Sequence, residues 1–183
     1  MLLETSIVME DRKNESEKER NDSRLGWIGF IFCLVIAFLV FRYVIGFIVI
    51  SGDSMNPTLE NGNVVLSSNI FFNVDRNDII IYRDHNGFDV VKRVIGLPKD
   101  RIMIQDGSIV VNGQMMNEPY MMGASNDMEE VVVPKDAYFV VGDNRTPGES
   151  LDSRSSNVGP IHKSTIQGKV LISLFPFSMA LNK

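Results

Sequence analysis

Phe88-Asp89-Val90-Val91-Lys92-Arg93-Val94-Ile95 is dominated by valine and isoleucine and reads as a β-strand, because β-branched side chains fit a pleated, half-buried surface. Side chains alternate across a strand, so Lys92 and Arg93 are expected on opposite faces and one of them points inward. An inward lysine is unusual, since burying its ammonium costs several kcal/mol unless it is paired or loses its proton. Similar short runs recur on either side: Val64-Val65-Leu66, Asp78 to Tyr82, Arg101 to Ile104, Ser108 to Val111, Val131 to Val133, Ala137 to Val141 and Lys169 to Leu174. Turn chemistry separates them. Asp106-Gly107 marks a hairpin between two of the runs, and Asn112-Gly113 closes the second arm. Met115 to Asp127, with four methionines, reads as a loop. No long helical period follows Ile50, so the fold expected is a mainly β, antiparallel domain. About 133 residues after Ile50 are enough for it to bury its own core.

Upstream the composition changes twice. Residues 1–24 hold seven acidic and five basic side chains and no apolar period, and so read as a solvated tail. Leu25 to Phe41 is a run of 17 uncharged residues, and after Arg42 the apolar character resumes from Tyr43 to Ile50. The length fits one membrane-spanning helix over 25–47, with Arg42 snorkelling to an interface. A cleaved secretory signal would have a shorter apolar region and a small-x-small exit, whereas the one alanine before residue 124, Ala37, lies inside the run, so the helix reads as a permanent anchor. Arg12, Lys13, Lys18, Arg20 and Arg24 precede it, while the first basic residue after Arg42 is Arg76. That asymmetry predicts a cytoplasmic tail, a single pass through the cell membrane and an extracytoplasmic domain over 48–183. Cys33 lies within the span, which leaves the domain without a disulfide framework. A net charge of −5 and no basic stripe argue against nucleic acid as a partner.

Chemistry is concentrated in three segments. In Ser51-Gly52-Asp53-Ser54-Met55-Asn56-Pro57, Ser54 would ordinarily be a turn residue; as a nucleophile it needs a base to take its proton. His85, in a polar turn, and His162, in a loop after Gly159-Pro160, are the chain's two histidines. Neither is favoured as that base, and two isolated histidines with one cysteine supply no metal-ligand spacing. Lys92 is the better candidate: desolvation can lower a lysine pKa from about 10.4 by up to about 3–5 units, which makes the amine available at neutral pH. The third segment is Gly142-Asp143-Asn144-Arg145, followed by Ser150-Leu151-Asp152-Ser153-Arg154. It reads as a strand end entering a loop braced by Asp/Arg pairs, with Ser150 or Ser153 placed to orient the lysine amine.

Together the three segments, with Val133-Pro134 before the Tyr138-Phe139 strand and Gly168-Lys169 leading to Pro176, resemble the bacterial type I signal peptidases of the serine/lysine class. The resemblance spans about residues 25–178. It implies the signal-peptidase β-fold, tethered by one N-terminal transmembrane helix. Ser54 matches the nucleophile, Lys92 the general base and Ser150 the serine that hydrogen-bonds the lysine; Asp143, Arg145, Asp152 and Arg154 match the acidic and basic residues that brace the site. The implied substrates are secretory preproteins cut after a small-x-small motif, with the lipid bilayer as the other partner and no cofactor. The substrate is expected as an added strand beside Ile48 to Asp53 and Asp89 to Val91. Three departures stand out. Thr146 to Glu149 put four residues between the two halves of the third segment instead of two; Gly52 replaces an oxyanion-hole serine found in some members; and Lys99 replaces the glycine of Leu-Pro-Gly-Asp. A self-cleaving repressor of the same fold and a catalytically silent, membrane-anchored binding protein are the competing readings.

Overall fold

The computed structural model describes residues 26–70 and 72–178. The charged tail read over residues 1–24 lies outside the described residues. Contacts divide the chain into two compact units, with the boundary between Arg42 and Tyr43.

An apolar helix (α1) runs through Gly26–Val44, and all but its last two residues belong to the first unit. Its large apolar side chains are exposed, including Trp27, Ile31, Phe38 and Phe41. By length and composition it can cross a membrane. The final turn, Val40–Val44, widens to a π-helix around Arg42. The helix was expected to continue to Phe47, but Ile45–Val49 is instead a strand (β1). Ile45, Ile48 and Val49 are β-branched, and the strand pairs with Val64–Ser68 (β2) in the register Ile45 to Ser68. Gly46 fits there because a Cβ would collide with Ser67 Oγ and the Asn69 side chain.

The second unit is built from two antiparallel sheets. The larger has β1 and β2, then Ile166–Phe175 (β11), Ile79–Arg83 (β3), Asp89–Gly96 (β4), Ala137–Val141 (β9) and Ile161–His162 (β10), in that spatial order, with Phe177–Ser178 (β12) added to β11. The smaller sheet is ordered Gln114–Met115 (β7), Ser108–Val111 (β6), Arg101–Gln105 (β5) and Met128–Val132 (β8). Both hairpin signals are realised. Asp106 and Gly107 have φ of 51° and 76° between β5 and β6, and Asn112 and Gly113 have φ of 52° and 79° between β6 and β7, as type I′ turns require.

β4 is covered on both faces. Val91 on one side packs with Ile48 against a cluster of Ile50, Met55, Leu59, Val65, Ile79, Ile81 and Val170. Val90 and Val94 on the other side join Ile80, Tyr82, Tyr138, Val140 and Ile161. Ile95 enters a third cluster with Ile102, Ile109 and Phe139, beneath the smaller sheet. The expectation that only one of Lys92 and Arg93 points inward is therefore corrected: their exposures are 4% and 0%. With both faces of the strand buried, alternation decides which interior each side chain enters, not whether it is buried.

Candidate active site

Ser54 lies in the turn-rich segment after β1 and Lys92 in the middle of β4. The Lys92 Nζ donates to Ser54 Oγ at 2.6 Å, across 38 positions of sequence. Burial lowers the Lys92 pKa from 10.5 to about 8; Asp152 and Asp143 oppose the shift and Arg154 adds to it. At pH 7 about a tenth of the amine is then neutral, against under a thousandth for a solvated lysine.

The strand end after β9 holds the nucleophile segment in place. Asn144 N donates to Ser54 O at 3.0 Å, and Asn144 Nδ2 donates to Asp53 O at 3.3 Å. Gly142 faces the same carbonyl, and a Cβ there would collide with Ser54 O and Ser150 Oγ. Asp143 lies beneath, fully buried. Its Oδ1 accepts from Arg93 Nε at 2.8 Å and its Oδ2 from Arg93 Nη2 at 2.6 Å, while Thr58 Oγ1 also donates to the carboxylate. The Arg93 guanidinium lies 3.9 Å from the centroid of the Tyr120 ring. A bidentate pair of this kind satisfies both charges where water cannot.

Asp152 is the second node. Its Oδ2 accepts from Gly142 N at 2.9 Å, Ser150 Oγ at 2.6 Å and Arg154 Nη2 at 2.8 Å, and its Oδ1 accepts from Arg154 Nε at 2.8 Å. Burial opposes ionisation of Asp152, but the hydrogen bond and charge of Arg154 and the Gly142 amide outweigh it and hold the carboxyl below the usual range. Arg154 Nη1 also donates to Arg145 O at 3.2 Å. Arg145 in turn donates from Nε to Gly142 O at 2.7 Å and pairs both Nη atoms with Glu118.

All seven residues singled out in the sequence, Ser54, Lys92, Asp143, Arg145, Ser150, Asp152 and Arg154, therefore fall around one strand end. Ser150 Oγ sits beside Gly142, but its hydrogen bond goes to Asp152 and not to Lys92. Ser153, the other hydroxyl considered, is turned away and accepts from Val140 N at 2.9 Å. The added Thr146 to Glu149 are absorbed in a turn closed by Glu149 N donating to Thr146 O at 3.1 Å. Gly52, with φ of 96°, gives its amide to Asn61 Oδ1 at 3.0 Å. Arg93, Asn144, Thr58 and Glu118 were not singled out. Arg93 and Asn144 adjoin residues that were, whereas Glu118 lies in the loop after β7, where nothing local advertises it. Among the described residues no group of three His, Cys, Asp or Glu side chains is placed to hold a metal ion.

Comparison with known proteins supplies the class. Residues 24–175 match the family described as "Signal peptidase, peptidase S26". Signal peptidase I of Bacillus caldolyticus is 35% identical over 179 residues, covering 88% of this chain and 94% of that one. Signal peptidase I S of Bacillus subtilis (strain 168) is 33% identical over 184 residues, covering 91% and 95%. Among solved structures, a signal peptidase I from Enterococcus faecalis V583 aligns with a TM-score of 0.48 and 28% identity, over 54% of this chain and 97% of that one. The class is that of the serine peptidases. Within it, the chain belongs to the signal peptidase family, peptidase S26, in its type I branch.

Proposed function

We propose that this protein removes N-terminal signal peptides from exported preproteins, with Ser54 as nucleophile and Lys92 as general base. The observation that carries the reading is the 2.6 Å contact between Ser54 Oγ and a lysine amine only 4% exposed. Neutral Lys92 takes the Ser54 proton as Ser54 Oγ attacks the scissile carbonyl. The lysinium gives that proton to the leaving amine, and the acyl-enzyme forms. A water entering the vacated position loses a proton to the same amine as it attacks the acyl carbon; the bond from that carbon to Ser54 Oγ breaks, the lysinium returns the proton to Oγ, and the acid product leaves. Asn144 N holds the Ser54 carbonyl, for which Gly142 leaves room, so that the hydroxyl stays aimed, and Ser150 acts through Asp152, steadying the strand end that flanks Lys92. Asp143, Arg145 and Arg154 are bracing residues in this scheme.

The same reading sets the topology. Residues 1–24 form a cytoplasmic tail, α1 is a single-pass anchor in the cell membrane, and the β domain is extracytoplasmic. Holding the domain at the bilayer that receives the substrate's apolar segment raises the effective concentration of the cleavage site without new contacts. The test is cleavage of a preprotein by the purified full chain, with the cut located by mass spectrometry. Ser54→Ala and Lys92→Ala are each expected to abolish the cut while the β-sheet circular dichroism is retained. Substantial turnover by either variant would overturn the dyad.

A further inference from the structure

The loop that presents Ser54 joins β1 to β2, and Val49 lies opposite Val64 where their ladder ends. Carried on into the loop, that register sets Ile50 opposite Asn63 and Gly52 opposite Asn61. The first of these steps is made with backbone atoms: Ile50 N donates to Asn63 O at 2.8 Å, and Gly62 N donates to Ile50 O at 2.9 Å. At the next a side chain takes over. Gly52 N donates to Asn61 Oδ1 at 3.0 Å, where a regular antiparallel ladder would use the carbonyl of the residue opposite.

The backbone at this point needs the support. Gly52 has φ of 96°, and a Cβ built on it would meet nothing within 4 Å, so its conformation is not imposed by packing. Glycine also restrains its own dihedrals least of all residues. Asp53 and Ser54 follow directly. From the other side, Asp53 O accepts from Asn56 N at 3.1 Å and from Asn144 Nδ2 at 3.3 Å. The peptide units that lead to Ser54 are therefore held between Asn144 at one end and Asn61 at the other. What they set is the 2.6 Å approach of Ser54 Oγ to Lys92 Nζ, and a misplacement of about 1 Å at a reacting atom can cost about 10²-fold in rate.

We infer that Asn61 is a positioning residue for the nucleophile: standing in for a backbone carbonyl, it fixes the Gly52 turn and, through that turn, the aim of Ser54 Oγ between Lys92 and the scissile carbonyl. The inference rests on the peptidase reading above and extends it to a residue outside the dyad and its bracing loop. Asn61 is exposed and belongs to none of the three apolar clusters, so the domain is expected to fold without it.

The experiment measures kcat and KM separately for one preprotein, with the full chain in detergent at alkaline pH, where Lys92 is neutral. Asn61→Leu keeps the size of the side chain and removes the acceptor. Its kcat is expected to fall about 10-fold, the worth of one hydrogen bond, with KM within about twofold. Asn61→Asp keeps an acceptor oxygen and is expected to recover most of that loss, a rescue that general damage to the loop would not show. Gly52→Ala, which strains the same turn, should also lower kcat. Combined with Asn61→Leu it should cost less than the product of the two losses, because both act through one hydrogen bond. An unchanged kcat in Asn61→Leu, a rise in KM alone, a loss that Asn61→Asp does not recover, or losses that multiply in the double variant would each overturn the inference. Failure of the unsubstituted chain to cut the preprotein overturns the peptidase reading and the role of Asn61 with it.

Discussion

Lys92 is held in an environment that opposes its charge, and this has two measurable consequences. With the pKa lowered by burial to about 8, kcat/KM should rise with pH through that value and level off above it. A profile flat from pH 6 to 10 would remove Lys92 as the base. The stability consequence has the opposite sign to a salt bridge. Between pH 8 and 10.5 the unfolded chain binds the proton that the folded chain releases, so Lys92 destabilises the fold fully below pH 8 and not at all well above 10.5. Lys92→Met is therefore expected to be inactive yet more stable at pH 6, by up to about 3 kcal/mol at about 1.4 kcal/mol per pKa unit. A loss of stability at pH 6 would show that the charge is compensated in place. At this scale the sequence was informative about residue types and poor about partners. Lys92 could be named because an inward strand lysine is unusual, and Ser54 because its segment, unremarkable alone, occurs with the Lys92 strand and the Gly142 to Arg154 segment. Ser150 could be placed in the segment, but not its bond to Asp152, because side-chain rotamers in a loop leave no periodic trace.

The same division holds among the elements. Eight strand segments were legible because β-branched alternation between turn residues is a local signal, and the two type I′ hairpins were legible for the same reason. β1 was hidden inside the apolar run: five residues of isoleucine, glycine, phenylalanine and valine suit a membrane helix as well as a strand, and pairing with β2 decides between them. Glu118 was invisible because its partner Arg145 is 27 positions away. The pair has side-chain exposures of 3% and 0%, so Glu118→Ala leaves a buried guanidinium uncompensated and should cost about 3–5 kcal/mol in chemical denaturation. A change below 1 kcal/mol would mean that the arginine finds water or another carboxylate. The turn between β4 and β5 carries the opposite opportunity. Lys99 stands there with φ of 75°, a conformation that costs a non-glycine residue about 1 kcal/mol, so Lys99→Gly should stabilise the domain by up to that amount. An unchanged or lower melting temperature would locate compensating contacts in the lysine.

For the whole molecule, orientation is the testable property. Five lysines and arginines precede α1 within residues 1–24, and none lies between Ile48 and Asp75. Protease added to intact cells or spheroplasts should digest the chain beyond Ile50 and spare a tag on the N-terminal segment. Protection of the β domain with digestion of the tag would reverse the proposed topology. Under the proposed function, the flank of β4 at Asp89 to Lys92, where β3 pairs on one side and no described strand on the other, also bears on how such a protein and its clients evolve. A sheet edge grips a visiting chain mainly through peptide groups, which every polypeptide presents alike. A newly arisen gene can therefore gain export by altering its own leader, with no matching change in the enzyme, so the repertoire of clients can expand while this domain stands still.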